Sequence, residues 1–264
     1  MNHESRATWR TLRIVLLLLV LAIVAGGAWL DRVRTTSWQH TVFVGAFPVN
    51  ADGSDAADRY IASLADAQLQ PVADFIASEA RRYGVTLDAP IVIKLYAPLP
   101  SPPPQLDAGA GLFGRILWSL RLRLYRSHAI GAIERSRPQI ALFLLYHDPL
   151  RTPSLPHSVG LQRGLMGVVH LFATDSQTAQ NAIVTAHELL HTFGATDKYA
   201  FDSDAPLYPQ GYAEPLLNPR YPQRYAEIMA GRIPVSPDDQ VMPDDLEQER
   251  VGPATALEIG WSRP

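Results

Sequence analysis

Residues 186–199 read AHELLHTFGATDKY. His187 and His191 stand four apart, which on an α-helix separates them by about 40° around the axis, so both imidazoles project from one face. Two imidazoles placed this way can hold one zinc ion at about 2.0–2.1 Å. Glu188 is turned about 100° from His187. It does not bind the ion, but it reaches a water on the ion's open side and can take its proton. Ile183, Ala186, Leu190 and Phe193 give the same helix a buried face. Gly194 lies three residues past His191, where a left-handed conformation ends a helix and swings the chain back. Asp197 follows, and a carboxylate is a competent zinc ligand. The stretch predicts a metal centre with His187, His191 and Asp197 as ligands, Glu188 as general base and Gly194 as the helix-ending turn. Asp148 and Glu214 are the other acidic candidates for the third ligand. A helix that merely carries two surface histidines is the plain alternative.

Outward from this helix the chain alternates strands and helices. TVFVGAFPV (41–49), PIVIKLYA (90–97), QIALFLLYH (139–147) and GLMGVVHLFAT (164–174) are rich in β-branched and aromatic residues and read as strands. Residues 55–83 carry helical spacing, with Pro71 either dividing the stretch or starting a second helix. PLPSPPP (98–104) is an extended loop, and RTPSLPHSVG (151–160) is also loop. Residues 112–130 fit a helix through Leu112, Ile116, Leu120 and Leu124, although 120–124 also alternate like a strand. This stretch carries Arg115, Arg121, Arg123 and Arg126; it reads as a surface helix covering the sheet, with contact to anionic lipid as the rival. Asp175 and Ser176 are candidate N-caps for the metal-site helix. Residues 195–245 are rich in proline, aspartate and tyrosine and read as packed coil, closed by a short helix through Val251, Ala254, Leu257 and Ile259. The fold class expected is α+β: a mixed twisted sheet, a backing helix and the active-site helix over 41–194, then a small, mostly irregular C-terminal subdomain over 195–264. His170 reads as a strand residue, and His147 and His157 carry no assigned role.

The 264 residues, 47% apolar with a formal charge of −3, have a globular profile and no nucleic-acid surface. The absence of cysteine excludes disulfides, thiolate ligands and a cysteine nucleophile. IVLLLLVLAIVAGGAWL (14–30) is an uncharged apolar run, preceded by Arg6, Arg10 and Arg13 and followed by Arg32 and Arg34. It spans about 25 Å as a helix, at the short end for a bilayer. A single-pass anchor is expected, with Trp29 at the interface, residues 1–13 cytoplasmic, 31–40 a linker and the rest outside the cytoplasm. A cleaved signal peptide, cut after Gly26 and Ala28, is the rival.

HELLHTFGATD resembles the extended zinc signature of the metzincin metallopeptidases, HExxHxxGxxH/D, in the aspartate variant of snapalysin-like enzymes. The resemblance implies a zinc cofactor and a polypeptide substrate. YAEIMAGRIP (225–234) resembles the family's methionine-containing turn, which implies that Met229 forms an apolar floor below the ligand imidazoles without coordinating. VGPATALEIGW resembles the family's C-terminal helix. Two departures stand out: Asp197 replaces the commoner histidine, and no tyrosine follows Met229 closely. Tyr199 is the candidate substitute as transition-state donor. In that fold an extended substrate pairs with the edge strand beside the cleft, a role expected for Gly167–Ala173.

Three functions share these residues: a membrane-anchored zinc endopeptidase, a non-catalytic zinc-binding or interaction domain, and a zinc hydrolase of a non-peptide envelope amide. Glu188→Gln separates the second from the others, because Glu188 serves chemistry and does not hold the metal. Nothing in the sequence sets the oligomeric state.

Overall fold

The computed structural model describes residues 35–262 apart from 107–108, 132, 134–136 and 163, together with 9–10, 12–19, 26–27 and 33. Its α+β architecture rests on a five-stranded sheet. The strands are β1 (Val42–Asn50), β2 (Ile91–Leu95), β3 (Ile140–His147), β4 (Val159–Leu161) and β5 (Met166–Phe172), in the order β2-β1-β3-β5-β4. All neighbours run parallel except β4, which pairs antiparallel with β5 at one edge.

Central β3 is buried along its whole length, as its apolar run IALFLLYH requires. Its side chains alternate between two cores. Ile140, Leu142, Leu144 and Tyr146 enter the larger one, with α2 (Gln70–Arg82) and α4 (Thr178–Phe193). Ala141, Phe143 and Leu145 enter the smaller one, under Trp118, Leu122 and Tyr125 of α3 (Leu112–Gly131). Helix α1 (Asp55–Ser63) begins where the Ser54 hydroxyl accepts the Ala57 N–H, and Pro71 lies in the first turn of α2. Pro71 therefore starts a second helix, where its missing N–H costs nothing. Residues 120–124 continue α3 as helix, and α3 covers the sheet with one side only: Leu112, Phe113, Ile116, Leu120 and Leu124 remain exposed.

Three expectations need correction. The first is the membrane anchor over 14–30, with the remaining chain outside the cytoplasm. Among the described residues no helix is long and apolar enough to cross a membrane. Residues 20–25 and 28–30 of that stretch, Ala28 and Trp29 among them, lie outside the described residues, as do most of 1–13 and part of the 31–40 linker. The second concerns the sheet edge. The stretch read as loop at 151–160 ends in β4, so β5 is interior and Gly167–Ala173 do not form the edge. The third is the cap of α4, which is preceded by a 3₁₀ turn at Asp175–Gln177; neither Asp175 nor Ser176 caps it.

The C-terminal segment contributes α5 (Pro253–Glu258) and four two-residue strands: β6 (Ala226–Glu227), β7 (Ile233–Pro234), β8 (Gln240–Val241) and β9 (Glu249–Arg250). Ile228, Met229, Leu246, Val251, Ala256, Ile259 and Trp261 join the same core as α2 and α4. Trp38 closes this core from the other end of the chain, its ring 4.8 Å from Phe193 and its indole N–H donating to the Ile259 carbonyl at 2.7 Å.

Candidate metal centre

Helix α4 buries Ile183, Ala186, Leu189, Leu190 and Phe193 against the core, which leaves His187, Glu188 and His191 on the side toward β4 and the coil after the helix. The helix ends at Gly194, whose φ of 109° is left-handed. The Gly194 N–H donates to the His191 carbonyl, and the Ala195 N–H to that of Leu190. This paired bonding is the Schellman arrangement that a glycine permits. A Cβ at 194 would also overlap the side chain of Gln162, whose amide donates to the Phe193 carbonyl at 3.1 Å. The reversed chain then places Asp197 beside both histidines. Its Oδ1 lies 3.2 Å from Nε2 of His187 and 3.1 Å from Nε2 of His191.

The tautomers follow from the opposite ring nitrogens. His187 Nδ1 lies 2.9 Å from the Ile228 carbonyl and His191 Nδ1 2.8 Å from the Ala195 carbonyl. A carbonyl only accepts, so both Nδ1 atoms carry the hydrogen and a neutral ring turns its Nε2 lone pair inward. The two Nε2 atoms are 3.1 Å apart. With both rings neutral, two nitrogen lone pairs and a carboxylate oxygen thus converge, and the buried Asp197 Oδ1 has no hydrogen-bond donor. Such a cluster of acceptors repels itself unless a cation lies within it. Burial works against a charged His187. In the metal-free centre a ring proton serves as that cation: hydrogen bonding to Asp197, the charge of Glu188 and the Ile228 carbonyl outweigh burial, and the imidazole is lifted to about 9. Burial likewise works against the Asp197 carboxylate, but the two histidines hold its pKa below the usual carboxylate range.

These three residues form the one group among the described residues suited to hold a metal, with ligand atoms all within 4.8 Å of one another. Two imidazoles and one carboxylate suit a divalent ion and leave a tetrahedral position open. Neither alternative third ligand takes part. Glu214 pairs with Arg224, and Asp148 accepts the Leu150 N–H in its own turn. His170 bonds His147 at 2.8 Å, both buried, as a strand residue would.

Glu188 is buried, and its Oε2 has no partner. Burial raises its pKa, opposed chiefly by His187 and His191 and aided by Asp197, so the carboxyl senses all three ligands. The Gly160 backbone amide of β4 favours the charged form of the same carboxylate. Gly160 rests directly on α4: a Cβ there would overlap the Glu188 carbonyl and His191 Cβ. Tyr199 is half-buried, and burial followed by the charges of Asp197 and Glu188 raises its hydroxyl pKa.

Met229 is fully buried in a tight turn. The turn is organised by Glu227, whose Oε2 accepts the Met229 N–H at 2.7 Å while Oε1 accepts from Gly252 N–H and the Thr255 hydroxyl. The turn supplies the Ile228 carbonyl that orients His187, and the Met229 carbonyl accepts the Lys198 N–H at 2.9 Å. Sequence reasoning missed Gly160, Gln162 and Glu227. Gly160 lies on a strand too short for a periodic pattern, and the other two act on residues far along the chain or through buried backbone groups. Compared with protein-family models and with curated proteins, the chain matches none.

Proposed function

We propose that the chain is a zinc-dependent peptidase of the metzincin type, with His187, His191 and Asp197 as metal ligands and Glu188 as general base. The observation that carries this reading is the buried carboxylate of Glu188, its Oε2 without a partner, beside three converging ligand atoms. A centre kept only for stability has no use for a costly buried carboxylate that does not ligate.

When bound, zinc supplies a Lewis acid that polarises the scissile carbonyl and acidifies water near neutral pH. Glu188 takes a proton from the attacking water onto its carboxylate, for which its raised pKa suits it. As the carbon–oxygen bond forms and the carbon–nitrogen bond breaks, the same carboxyl returns that proton to the leaving amine. The Gly160 amide beside the carboxylate favours its charged form before the first transfer. Ile228 and Ala195 keep both imidazoles in the tautomer that ligates. The open side of β4 offers main-chain groups to an extended polypeptide, which moves the docking strand from Gly167–Ala173 to Val159–Leu161. Tyr199 stands as the donor to the developing oxyanion.

Metal analysis of the purified chain, with peptide-library cleavage in the presence and absence of a chelator, tests the assignment. Glu188→Gln is expected to keep its zinc and lose at least about 10²-fold in rate. Failure of the wild type to retain a divalent ion, or an unchanged rate in Glu188→Gln, overturns it.

A further inference from the structure

Asp197 is the ligand with the weakest local support. The histidines sit on a sixteen-residue helix, whereas Asp197 lies in coil between Gly194 and the Tyr199 bridge. What fixes it comes from its neighbours. Glu258, in the last turn of α5, accepts the Thr196 N–H at 2.9 Å with Oε2 and the Thr196 hydroxyl at 2.8 Å with Oε1. Its Oε2 also lies 2.8 Å from Lys198 Nζ, and that ammonium donates to the Thr196 carbonyl at 2.8 Å. The Lys198 side chain is only 4% exposed, so its charge is committed to this contact. The residues before and after Asp197 are therefore held by one carboxylate. That carboxylate is itself anchored, because Thr255 and Gly252 of the same helix start bond to Glu227 below Met229.

We propose that Glu258 and Lys198 are positioning residues for the metal centre: a clamp from the C-terminal helix that presets the Asp197 carboxylate against His187 and His191. The proposal rests on the metal reading above. Its physical basis is preorganisation. A carboxylate on an untethered loop loses conformational freedom when it ligates, and that loss is subtracted from metal affinity. Groups that orient ligands without touching the metal contribute about 10–100-fold in affinity. Through Glu227 and Glu258, helix α5 connects to both the turn that orients His187 and the loop that carries Asp197.

The test is the zinc dissociation constant of the full chain, read by competition with a chromophoric chelator, beside thermal unfolding of the metal-free protein. Glu258→Ala is expected to weaken zinc about 10–100-fold. Glu258→Gln keeps one acceptor oxygen for Thr196 and is expected to recover part of that loss. Lys198→Met should fall between wild type and Glu258→Ala. Thr196→Val, at an exposed position, loses only the hydroxyl contact and guards against misfolding of the other variants; a several-fold loss is expected. Asp197→Ala is the control for the ligand itself. If wild type binds zinc, Asp197→Ala does not, and the folded Glu258 and Thr196 variants bind as tightly as wild type, the clamp is wrong while the metal reading stands. If wild type and Asp197→Ala bind equally poorly, the metal reading fails and the clamp with it. A drop in unfolding temperature with unchanged zinc affinity reduces the clamp to ordinary fold support and also overturns it.

Discussion

Gly160→Ala is the sharpest probe of how β4 and α4 are fitted together. Gly160 faces Gly167 across the ladder, and its α-carbon rests on the helix backbone at Glu188 with no side chain between. An added methyl would overlap the Glu188 carbonyl and His191 Cβ and lie 3.2 Å from Glu188 Oε2. Ordinary carbon contacts need about 3.5–4.0 Å, so one element must retreat on the order of 1 Å. The helix cannot give readily, since Leu189, Leu190 and Phe193 behind it are fully buried. Strand β4 is an edge of three residues with a single pairing partner, so it moves, and the Gly160 backbone is drawn away from Glu188.

Overpacking of this kind costs about 1–3 kcal/mol, and for a chain of this size that lowers the melting temperature by about 2–12 °C. A misplacement near 1 Å at a catalytic group costs about 10²-fold in rate. Bound zinc should be unchanged, because Glu188 is not a ligand. The assays are calorimetry, metal content and kcat/KM on a cleaved peptide, with Val159→Ala as a neighbouring control expected to stay within about 0.5 kcal/mol of wild type. A Gly160→Ala protein with native melting temperature and native turnover would refute both the close approach and the role of the Gly160 amide.

Tyr199→Phe is expected to leave zinc content and KM unchanged while lowering kcat by about 10²-fold, the usual loss for one oxyanion donor. An unchanged kcat removes Tyr199 from the chemistry. Glu249 provides the pH prediction. Burial, then the neighbouring Glu227 carboxylate, lifts it from 4.5 to about 8, and neither of its oxygens has a partner. Its folded pKa exceeds the unfolded one, so its contribution to stability is complete below about pH 4.5 and is lost as pH rises through 8. The loss is at most about 1.4 kcal/mol per pH unit. Glu249→Gln should flatten this decline in denaturant titrations between pH 5 and about 9; an identical slope in both proteins would show that Glu249 does not carry it.

Much of the centre was legible because it is local. The four-residue spacing of His187 and His191, the glycine stop and the returning Asp197 lie within eleven residues, so helix geometry and one left-handed turn suffice to bring the ligands together. The strands were legible for a similar reason, since β3 must alternate into two cores and its sequence is apolar at every position. What escaped was set by partners distant in sequence. Nothing in Val-Gly-Leu distinguishes a three-residue strand from the loop before it; only the absence of a side chain at 160 lets it settle on α4, and that becomes visible once α4 is placed. The edge assignment failed for the same reason, because β5 looks like an edge until β4 covers Met166, Gly167 and Val168. Glu258 is equally silent in sequence: its partners Thr196 and Lys198 lie 62 and 60 residues away. A ligand set can be read from one helix and its turn, but the groups that hold a flexible ligand still are supplied wherever the fold brings a second element alongside. The sequence identifies the atoms able to bind a metal ion, while the C-terminal helix, through Glu258, holds the residues on either side of Asp197.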